Sequence, residues 1–319
     1  MKVLLTAQEL HGTEGSIKAI CDKYGCDFAY KEREDLLRED LLDADIILGN
    51  PRESLFEDLP KLKLLMLLSA GCDSYAVLPL FKGQNAPILC NATGCYGVTI
   101  SEHMVGFLLT LTREFLHYRD KMAKHLWQLE KIPDTINGKK ALVLGLGDLG
   151  GHFARLMSAF GCDVYAIKRT MTAPPDFVKE IHPMADLETL LPQMDFVALC
   201  VPQGEDTIHI INAHTLKLMK PSAFVINVGR GSAVDCIALA DALKDGTIAG
   251  AALDVTQPEP LPPDHPLWDC QNCLITPHSS GRSIQKDPHL RINALWRNNL
   301  EAFLTGKPLK NVIDVSRGY

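Results

Sequence analysis

The sequence predicts an α/β fold of two domains, each built on a parallel sheet covered by helices, and three observations support this. The chain has 319 residues, which leaves room for two cores at roughly 150 residues per domain. Short apolar runs typical of buried strands alternate with helical patterns along almost the whole chain. One of these strands runs into a glycine cluster that opens a helix, which favours a doubly wound sheet.

The predicted elements follow the chain in a regular order. The first part has strand candidates at residues 2–6, 45–48 and 64–68, and a long helix is predicted from residue 100 to about residue 125. The second part has strand candidates at residues 140–144, 164–167, 196–200, 223–227, 250–253 and 274–276. Between them the apolar spacing predicts helices at residues 150–160, 185–191, 213–218 and 235–245. A last helix, about 285–304, carries Trp296 and Phe303 on its apolar face.

A domain boundary is predicted near Thr99, where the long helical pattern begins. The polar loop at residues 131–138, with Pro133 and Asn137-Gly138, then precedes the strand that enters the glycine cluster. The last helix follows the final strand and could return the chain to the first domain. We therefore expect a discontinuous domain of residues 1–98 and 291–319 around a central domain of residues 99–290.

Composition and charge are those of an ordinary globular protein, with 46% hydrophobic and 22% charged residues. A net charge of −7 and a pI near 5.9 give no basic footprint, so a nucleic-acid partner is not expected. No apolar run reaches the length of a membrane span. The first residues resemble a strand rather than a signal peptide. We therefore expect a soluble, cytoplasmic protein without a membrane or nucleic-acid partner.

The cysteines give little support for a metal site. Most of the ten lie in or beside apolar runs, where a thiol acts as a small hydrophobe. Cys270 and Cys273 have the CxxC spacing, but no second pair accompanies them. No bound metal is therefore predicted.

The glycine cluster is Gly145-Leu-Gly147-Asp148-Leu149-Gly150, between the strand at 140–144 and a helical pattern that ends at Gly161. In this arrangement backbone N–H groups and the helix N-terminus bind a pyrophosphate. Gly145 permits a tight turn, Gly147 lets the backbone approach the phosphates, and Gly150 lets helix and strand pack. We expect Asp148 and Leu149 to take part through the same backbone. The central domain is thus predicted to be a Rossmann-type dinucleotide-binding domain.

The next strand ends in Lys168, Arg169 and Thr170, where an acid would hold the ribose hydroxyls of NAD. Asp163 is at the opposite end of that strand. An Arg fork and a Lys charge attract a 2′-phosphate, which a carboxylate would repel. The strand end therefore favours NADP, with NAD still possible, unless these cations are merely solvated surface charges.

Three polar residues follow later strands. Arg230 lies between two glycines, Glu259 lies between two prolines, and His278 follows Thr276-Pro277. Because the carboxyl ends of parallel strands face the ligand crevice, we expect these side chains to converge there.

With these motifs in place, the sequence resembles the D-isomer-specific 2-hydroxyacid dehydrogenase family, which includes glyoxylate/hydroxypyruvate reductases and phosphoglycerate dehydrogenases. The likeness covers most of the chain. Besides the glycine cluster, it rests on GCD (71–73), Asn91, ISEH (100–103), Val201-Pro202 with Thr207, NVGRG (227–231), ALDV (252–255), EPL (259–261), PLW (266–268) and TPH (276–278). The resemblance implies a flavodoxin-like α/β substrate domain beside the Rossmann-type domain.

The resemblance also implies a catalytic triad that suits the chemistry. His278 can exchange a proton with the substrate oxygen, because an imidazole titrates near neutrality. Glu259 would bond the other ring nitrogen and favour the protonated ring. Arg230 can clamp the substrate carboxylate and polarise the keto oxygen.

Further contacts follow from the same resemblance. Asp254 would hold the nicotinamide carboxamide, and the backbone of Ala70, Gly71 and Cys72 would form a second cradle for the substrate carboxylate. The remaining residues implied to bind the cofactor are Cys200, Val201, Pro202, Thr207 and Val228. His103, at a helix start, is expected to be structural.

The resulting expectation is an NADP(H)-preferring reductase of small 2-oxo acids such as glyoxylate or hydroxypyruvate, forming the D-hydroxy acid. Arg52 could meet an acidic or phosphorylated substrate, although a small unphosphorylated acid is favoured. The long helix resembles the family's dimerisation arm, so a homodimer is expected, with Trp127 packed at the subunit interface or, as the less favoured alternative, reaching the partner's active site. Two alternatives stay open: an NAD-dependent dehydrogenase of another 2-hydroxy acid, and a nucleotide-sensing protein like the co-repressors related to this fold.

Overall fold

The computed structural model describes residues 1–7 and 12–315 and divides into two compact units. Unit 1 comprises the described residues of Met1–Tyr96 and Gly281–Tyr319, and unit 2 comprises Gly97–Ser280. Unit 2 therefore begins at residue 97 and ends at residue 280. The sequence predicted that this domain would begin at residue 99 and end at residue 290.

Unit 1 is built on a five-stranded parallel sheet in the order β2-β1-β3-β4-β5. This is the flavodoxin-like order, as predicted. Its elements are β1 Lys2–Thr6, α1 Thr13–Tyr24, β2 Asp27–Tyr30, α2 Arg38–Leu42, β3 Ile46–Gly49, β4 Leu64–Met66, α3 Asp73–Ala76, β5 Ile88–Cys90 and, from the end of the chain, α10 Lys286–Leu304. Helix α10 packs against α1, and the buried Trp296 indole donates to the Leu67 carbonyl.

Unit 2 is built on a seven-stranded parallel sheet in the order β12-β11-β10-β9-β6-β7-β8. Its elements are α4 Gly97–Thr112, α5 Phe115–Ala123, β6 Lys140–Leu144, α6 Asp148–Ala159, β7 Asp163–Ile167, β8 Glu180–His182, α7 Leu187–Leu190, β9 Phe196–Leu199, α8 Ala213–Leu218, β10 Phe224–Asn227, α9 Cys236–Lys244, β11 Gly250–Leu253 and β12 Cys273–Ile275. The strand order reverses between β6 and β9, so the glycine cluster after β6 lies at the switch point where ligands bind in such sheets. The predicted doubly wound sheet is confirmed.

Three strands were missed by the sequence analysis, and all three are edge strands: β2, β5 and β8. Central strands such as β3 are buried along their whole length, whereas β2 has exposed or half-buried residues throughout. β2 and β8 carry polar residues and lack the continuous apolar run that identified the central strands, and β5 is only three residues long.

The long helix predicted from residue 100 to about 125 is wrong, because two helices, α4 and α5, replace it. The Thr112 carbonyl accepts a hydrogen bond from the Asp134 amide of the following loop, and the Thr112 hydroxyl bonds back to Leu108. Glu114 then adopts a left-handed conformation, with φ 58°. The sequence has no Pro or Gly at this break. A hydrogen bond from a later loop ends the helix instead, so local patterns did not reveal the break.

Within the described residues, none of the helices combines the length and apolarity that a membrane span requires.

Candidate active site

The predicted catalytic and cofactor-binding residues of unit 2 follow the carboxyl ends of parallel strands. The glycine cluster follows β6, the Lys168–Thr170 segment follows β7, and the Cys200–Thr207 loop follows β9. Arg230 follows β10, Asp254 and Glu259 follow β11, and His278 follows β12. One edge of the sheet therefore carries them all.

The glycine cluster has the close packing that its spacing predicts. Gly145 has φ 92°, and a Cβ there would lie 2.7 Å from the Cys200 carbonyl oxygen of the neighbouring loop. A Cβ on Gly150 would lie 1.9 Å from the Gly145 oxygen, so helix α6 could not pack this closely with any other residue. A Cβ on Gly147, by contrast, would meet no protein atom within 4 Å.

This geometry fits a dinucleotide. The backbone at Gly147, which caps α6, is open on the side where a side chain would stand. The first N–H groups of a helix have no partners within it and attract phosphate. The carboxylate of Asp148, in the first turn, has a buried Oδ2 without a hydrogen bond within the described residues.

The loop after β9 is closed by Thr207. Its hydroxyl accepts from the Gly204 amide at 2.9 Å and donates to the Pro202 carbonyl, also at 2.9 Å. Thr207 and Val201 are buried, and burial raises the pKa of the Cys200 thiol to about 12. The structure thus gives Thr207 a role in holding the loop, and its predicted cofactor contact stays a prediction.

The β7 end presents cations, as the sequence predicted. Lys168 is half-buried and its amide continues the ladder to the His182 carbonyl of β8, while Arg169 and Thr170 are exposed. The Arg169 guanidinium pairs with the Asp206 carboxylate of the β9 loop at 3.2 Å. Asp206 was not found from the sequence, because 37 residues separate the pair and no local pattern links them.

Arg230 is held by close backbone packing on both sides. A Cβ on Gly229 would lie 2.7 Å from the Val201 oxygen, and one on Gly231 would lie 1.9 Å from the Thr256 oxygen. Asn227 donates to the Arg230 carbonyl, and the half-buried guanidinium donates to the Gly229 carbonyl at 3.0 Å. Two glycines are therefore needed to bring the arginine between the β9 and β11 loops. Val228, next to Gly229, is buried.

His278 and Glu259 form the predicted pair. Nδ1 of His278 lies 2.7 Å from Oε1 of Glu259, and both side chains are about half exposed. His278 has φ 49°, a left-handed conformation that non-glycine residues adopt mainly at functional sites and turns. The bond leaves Nε2 as the ring nitrogen that can exchange a proton with a ligand.

Asp254 holds the His278 loop through several hydrogen bonds. Its carbonyl accepts from the His278 amide, and its buried carboxylate accepts from the Thr276 hydroxyl and from the Ser279 and Ser280 amides. Burial alone would raise the pKa of Asp254, but hydrogen bonds from Ser280, Thr276 and the two amides outweigh it and hold the pKa below its usual value.

No role was predicted for Thr276, which was placed only in the TPH motif, and Ser279 and Ser280 were not identified from the sequence. The available signal was the polar run after β12, because β12 neighbours β11, the strand that Asp254 follows. The implied contact between Asp254 and the nicotinamide carboxamide stays a prediction.

In unit 1, the predicted substrate loop is fixed through its carbonyl groups. Asn91 donates to the Ala70 carbonyl at 2.7 Å, and the Ser69 hydroxyl donates to the Gly71 carbonyl at 2.6 Å. Cys72 is buried at the start of α3, where its carbonyl accepts from the Tyr75 and Ala76 amides. Arg52 is exposed ahead of a short 3₁₀ turn.

Cys270 and Cys273 are free thiols, and burial raises the pKa of both. In the part of the chain that the structure describes, no group of three or more His, Cys, Asp or Glu residues is arranged to hold a metal ion.

Comparison with known proteins identifies a close match to one family. The sequence model of "D-isomer specific 2-hydroxyacid dehydrogenase, NAD binding domain" matches residues 105–280. Glycerate dehydrogenase from Methylorubrum extorquens is 33% identical over 94% of this chain and 96% of its own length. Glyoxylate reductase from Thermofilum pendens is 32% identical over 86% of this chain and 82% of its own.

Solved structures agree. A D-isomer-specific 2-hydroxyacid dehydrogenase family protein from Aeromonas salmonicida superposes with a TM-score of 0.88 at 28% identity, covering 98% of this chain and 99% of its own. The NADPH-dependent glyoxylate/hydroxypyruvate reductase from Sinorhizobium meliloti, solved with NADP and sulfate, has a TM-score of 0.83 at 25% identity. It covers 100% of this chain and 99% of its own.

Proposed function

The chain belongs to the D-isomer-specific 2-hydroxyacid dehydrogenase family, and from that premise we propose that it reduces small 2-oxo acids with NADP(H). Membership makes it an NAD(P)-dependent D-2-hydroxyacid dehydrogenase or reductase. The proposal adds the substrate class, glyoxylate or hydroxypyruvate, the preference for NADP(H), and the roles of individual residues.

The observation that carries the proposal is the His278–Glu259 pair at the carboxyl edge of the unit 2 sheet. The 2.7 Å contact fixes the tautomer and orientation of the imidazole. The same edge carries the glycine cluster, and His278 is thus suited to proton exchange with a substrate oxygen beside a dinucleotide.

In the proposed reduction, a bound nicotinamide supplies the hydride. His278 donates its Nε2 proton to the carbonyl oxygen of the substrate, so that a 2-oxo acid becomes a D-2-hydroxy acid. The Glu259 carboxylate stabilises the protonated ring before that step. Arg230 binds the substrate carboxylate with charged donors.

The test is turnover. A panel of short 2-oxo acids with NADPH and with NADH should show consumption of NADPH with glyoxylate or hydroxypyruvate. His278→Ala should lose turnover by about 10²- to 10⁴-fold while cofactor binding survives. A protein that binds NADPH and consumes it with none of the acids would contradict the proposal and favour nucleotide sensing.

The preference for NADP(H) is supported by Lys168 and Arg169, which follow β7 in the positions where an NAD site carries an acid. The double variant Lys168→Asp with Arg169→Ala should shift kcat/KM toward NADH. A wild type that prefers NADH, or a double variant with unchanged preference, would contradict this assignment.

A homodimer is supported by the exposed apolar side chains that follow the break between α4 and α5. Trp127 is 100% exposed, Ile132 87%, Leu129 79% and Met122 70%. Exposed apolar patches of this kind mark association surfaces. Sedimentation of the wild type should give a dimer, and Trp127→Ser with Ile132→Ser should shift it toward the monomer.

A further inference from the structure

The carboxylate absent from the end of β7 is supplied by another loop. Asp206, from the loop after β9, places its Oδ2 at 3.2 Å and its Oδ1 at 3.4 Å from Nη2 of Arg169. Asp206 thus brings a negative charge to the strand end where the sequence presents cations.

The position of Asp206 is set by its loop. The Thr207 hydroxyl, one residue on, accepts from the Gly204 amide and donates to the Pro202 carbonyl. The Thr207 amide closes a turn on the Gly204 carbonyl. A Cβ on Gly204 would lie 2.9 Å from Oδ1 of Asp206, so the glycine leaves room for the carboxylate.

The pair with Arg169 is loose. One nitrogen contacts both oxygens at 3.2 and 3.4 Å, rather than two nitrogens forming the short parallel bonds of a bidentate pair. Both side chains are about half exposed, at 55% and 52%. Exposed pairs of this kind are weak, so a dianionic phosphate can displace the carboxylate from Arg169.

We propose that Asp206 is a specificity-determining residue that limits the preference for NADP(H) over NAD(H). This inference rests on the proposed function, in which Arg169 binds the 2′-phosphate of NADP(H). The Asp206 carboxylate competes for Arg169 and repels the phosphate. Toward NAD(H), it is an acceptor for a ribose hydroxyl, the role of the acid in NAD sites.

The experiment measures kcat/KM for NADPH and for NADH in the wild type and in Asp206→Asn. The ratio of kcat/KM for NADPH to kcat/KM for NADH should be about threefold to tenfold higher in Asp206→Asn than in the wild type, mainly through a lower KM for NADPH. Glu205→Gln is the matched control, because it removes the same charge from the neighbouring exposed residue of the same loop. The ratio for Glu205→Gln should stay within about twofold of the wild type, because Glu205 carries the same charge as Asp206, whereas the ion pair with Arg169 is formed by Asp206.

Arg169→Ala, alone and combined with Asp206→Asn, separates the inference from the function on which it rests. Arg169→Ala should lower the ratio by about tenfold or more, and Asp206→Asn should then have a much smaller effect. Binding of adenosine 2′,5′-bisphosphate and of AMP, measured by calorimetry, should follow the same pattern without turnover.

Each outcome decides one question. An unchanged ratio in Arg169→Ala would overturn the assignment of Arg169 to the 2′-phosphate, and with it the proposed preference. A ratio that falls in Arg169→Ala but stays constant in Asp206→Asn would overturn the inference alone. A lower ratio in Asp206→Asn would also overturn it, because it would show that Asp206 orients Arg169 for the phosphate.

Discussion

The hydroxyl of Thr276 lies 2.6 Å from Oδ1 of Asp254, and Nε2 of His103 lies 3.2 Å from the same hydroxyl. The pKa of Asp254 is held below its usual value, so its carboxylate is ionised and can only accept hydrogen bonds. The Thr276 hydroxyl therefore donates its single hydrogen to Asp254. The hydroxyl oxygen therefore accepts from His103, which fixes the proton on Nε2. A relay from α4 thus reaches the residue that holds the His278 loop.

Removal of the Thr276 hydroxyl should destabilise the protein. Thr276→Val keeps the shape but leaves the buried carboxylate of Asp254 and the ring of His103 each without one hydrogen bond. The free energy of unfolding should fall by about 1–3 kcal/mol, measured by thermal unfolding, and turnover should fall with it. Thr276→Ser keeps the hydroxyl and should stay close to the wild type. Equal stability of Thr276→Val and the wild type would contradict the relay.

The relay also predicts a pH dependence at His103. Burial lowers the pKa of His103 below 6.5, partly opposed by the charge of Asp254, so the folded state resists the proton that the unfolded state takes up. The stability associated with the neutral ring is complete above pH 6.5 and is lost as the pH falls through the lower, folded value. His103→Gln retains a donor and does not titrate.

The measurement is the free energy of unfolding of the wild type and His103→Gln at several pH values from about 8 to 5. The wild type should lose stability relative to the variant on acidification. A difference that stays constant with pH would show that His103 is free to take up a proton in the folded protein.

Substitution of Gly147, at the cap of helix α6, and of Gly150, within that helix, should have different effects. Gly147→Ala has space around its Cβ, so the thermal midpoint should stay near that of the wild type while KM for the cofactor rises by about tenfold or more. Gly150→Ala places a Cβ 1.9 Å from the Gly145 oxygen, so it should lower stability by about 1–3 kcal/mol. Normal cofactor binding by a stable Gly147→Ala protein would contradict the assignment of this face to the pyrophosphate.

These residues also show what the sequence could predict. The glycines, Arg230, Glu259 and His278 were found because each lies in a short motif directly after an apolar strand, and strand order then brings them to one edge. Asp206 could not be found in this way, and His103 was expected to be structural without an identified partner. Each acts through a partner distant in the chain, at separations of 37 residues for Asp206 and 173 for His103.

The prediction of one continuous helix across α4 and α5 was wrong for the same reason. The Asp134 amide takes the Thr112 carbonyl, and this bond from a later loop outweighs local helix propensity. Local patterns predicted the buried strands, whose apolar runs are continuous. They did not predict the edge strands β2, β5 and β8 or the tertiary hydrogen bonds that shape the site.

The His278–Glu259 pair gives the sharpest test of the proposed chemistry. Glu259→Gln keeps the size and an oxygen acceptor for Nδ1 but removes the charge that stabilises the protonated ring, so kcat should fall by about 100-fold. Cofactor affinity, measured by NADPH fluorescence titration, should change little. Glu188→Gln is the matched control, because it removes the carboxylate from another exposed pair, with His214 at 3.3 Å, and should leave kcat unchanged. If both variants retain full turnover, proton transfer does not depend on the Glu259 charge, and His278 loses its support as the proton donor.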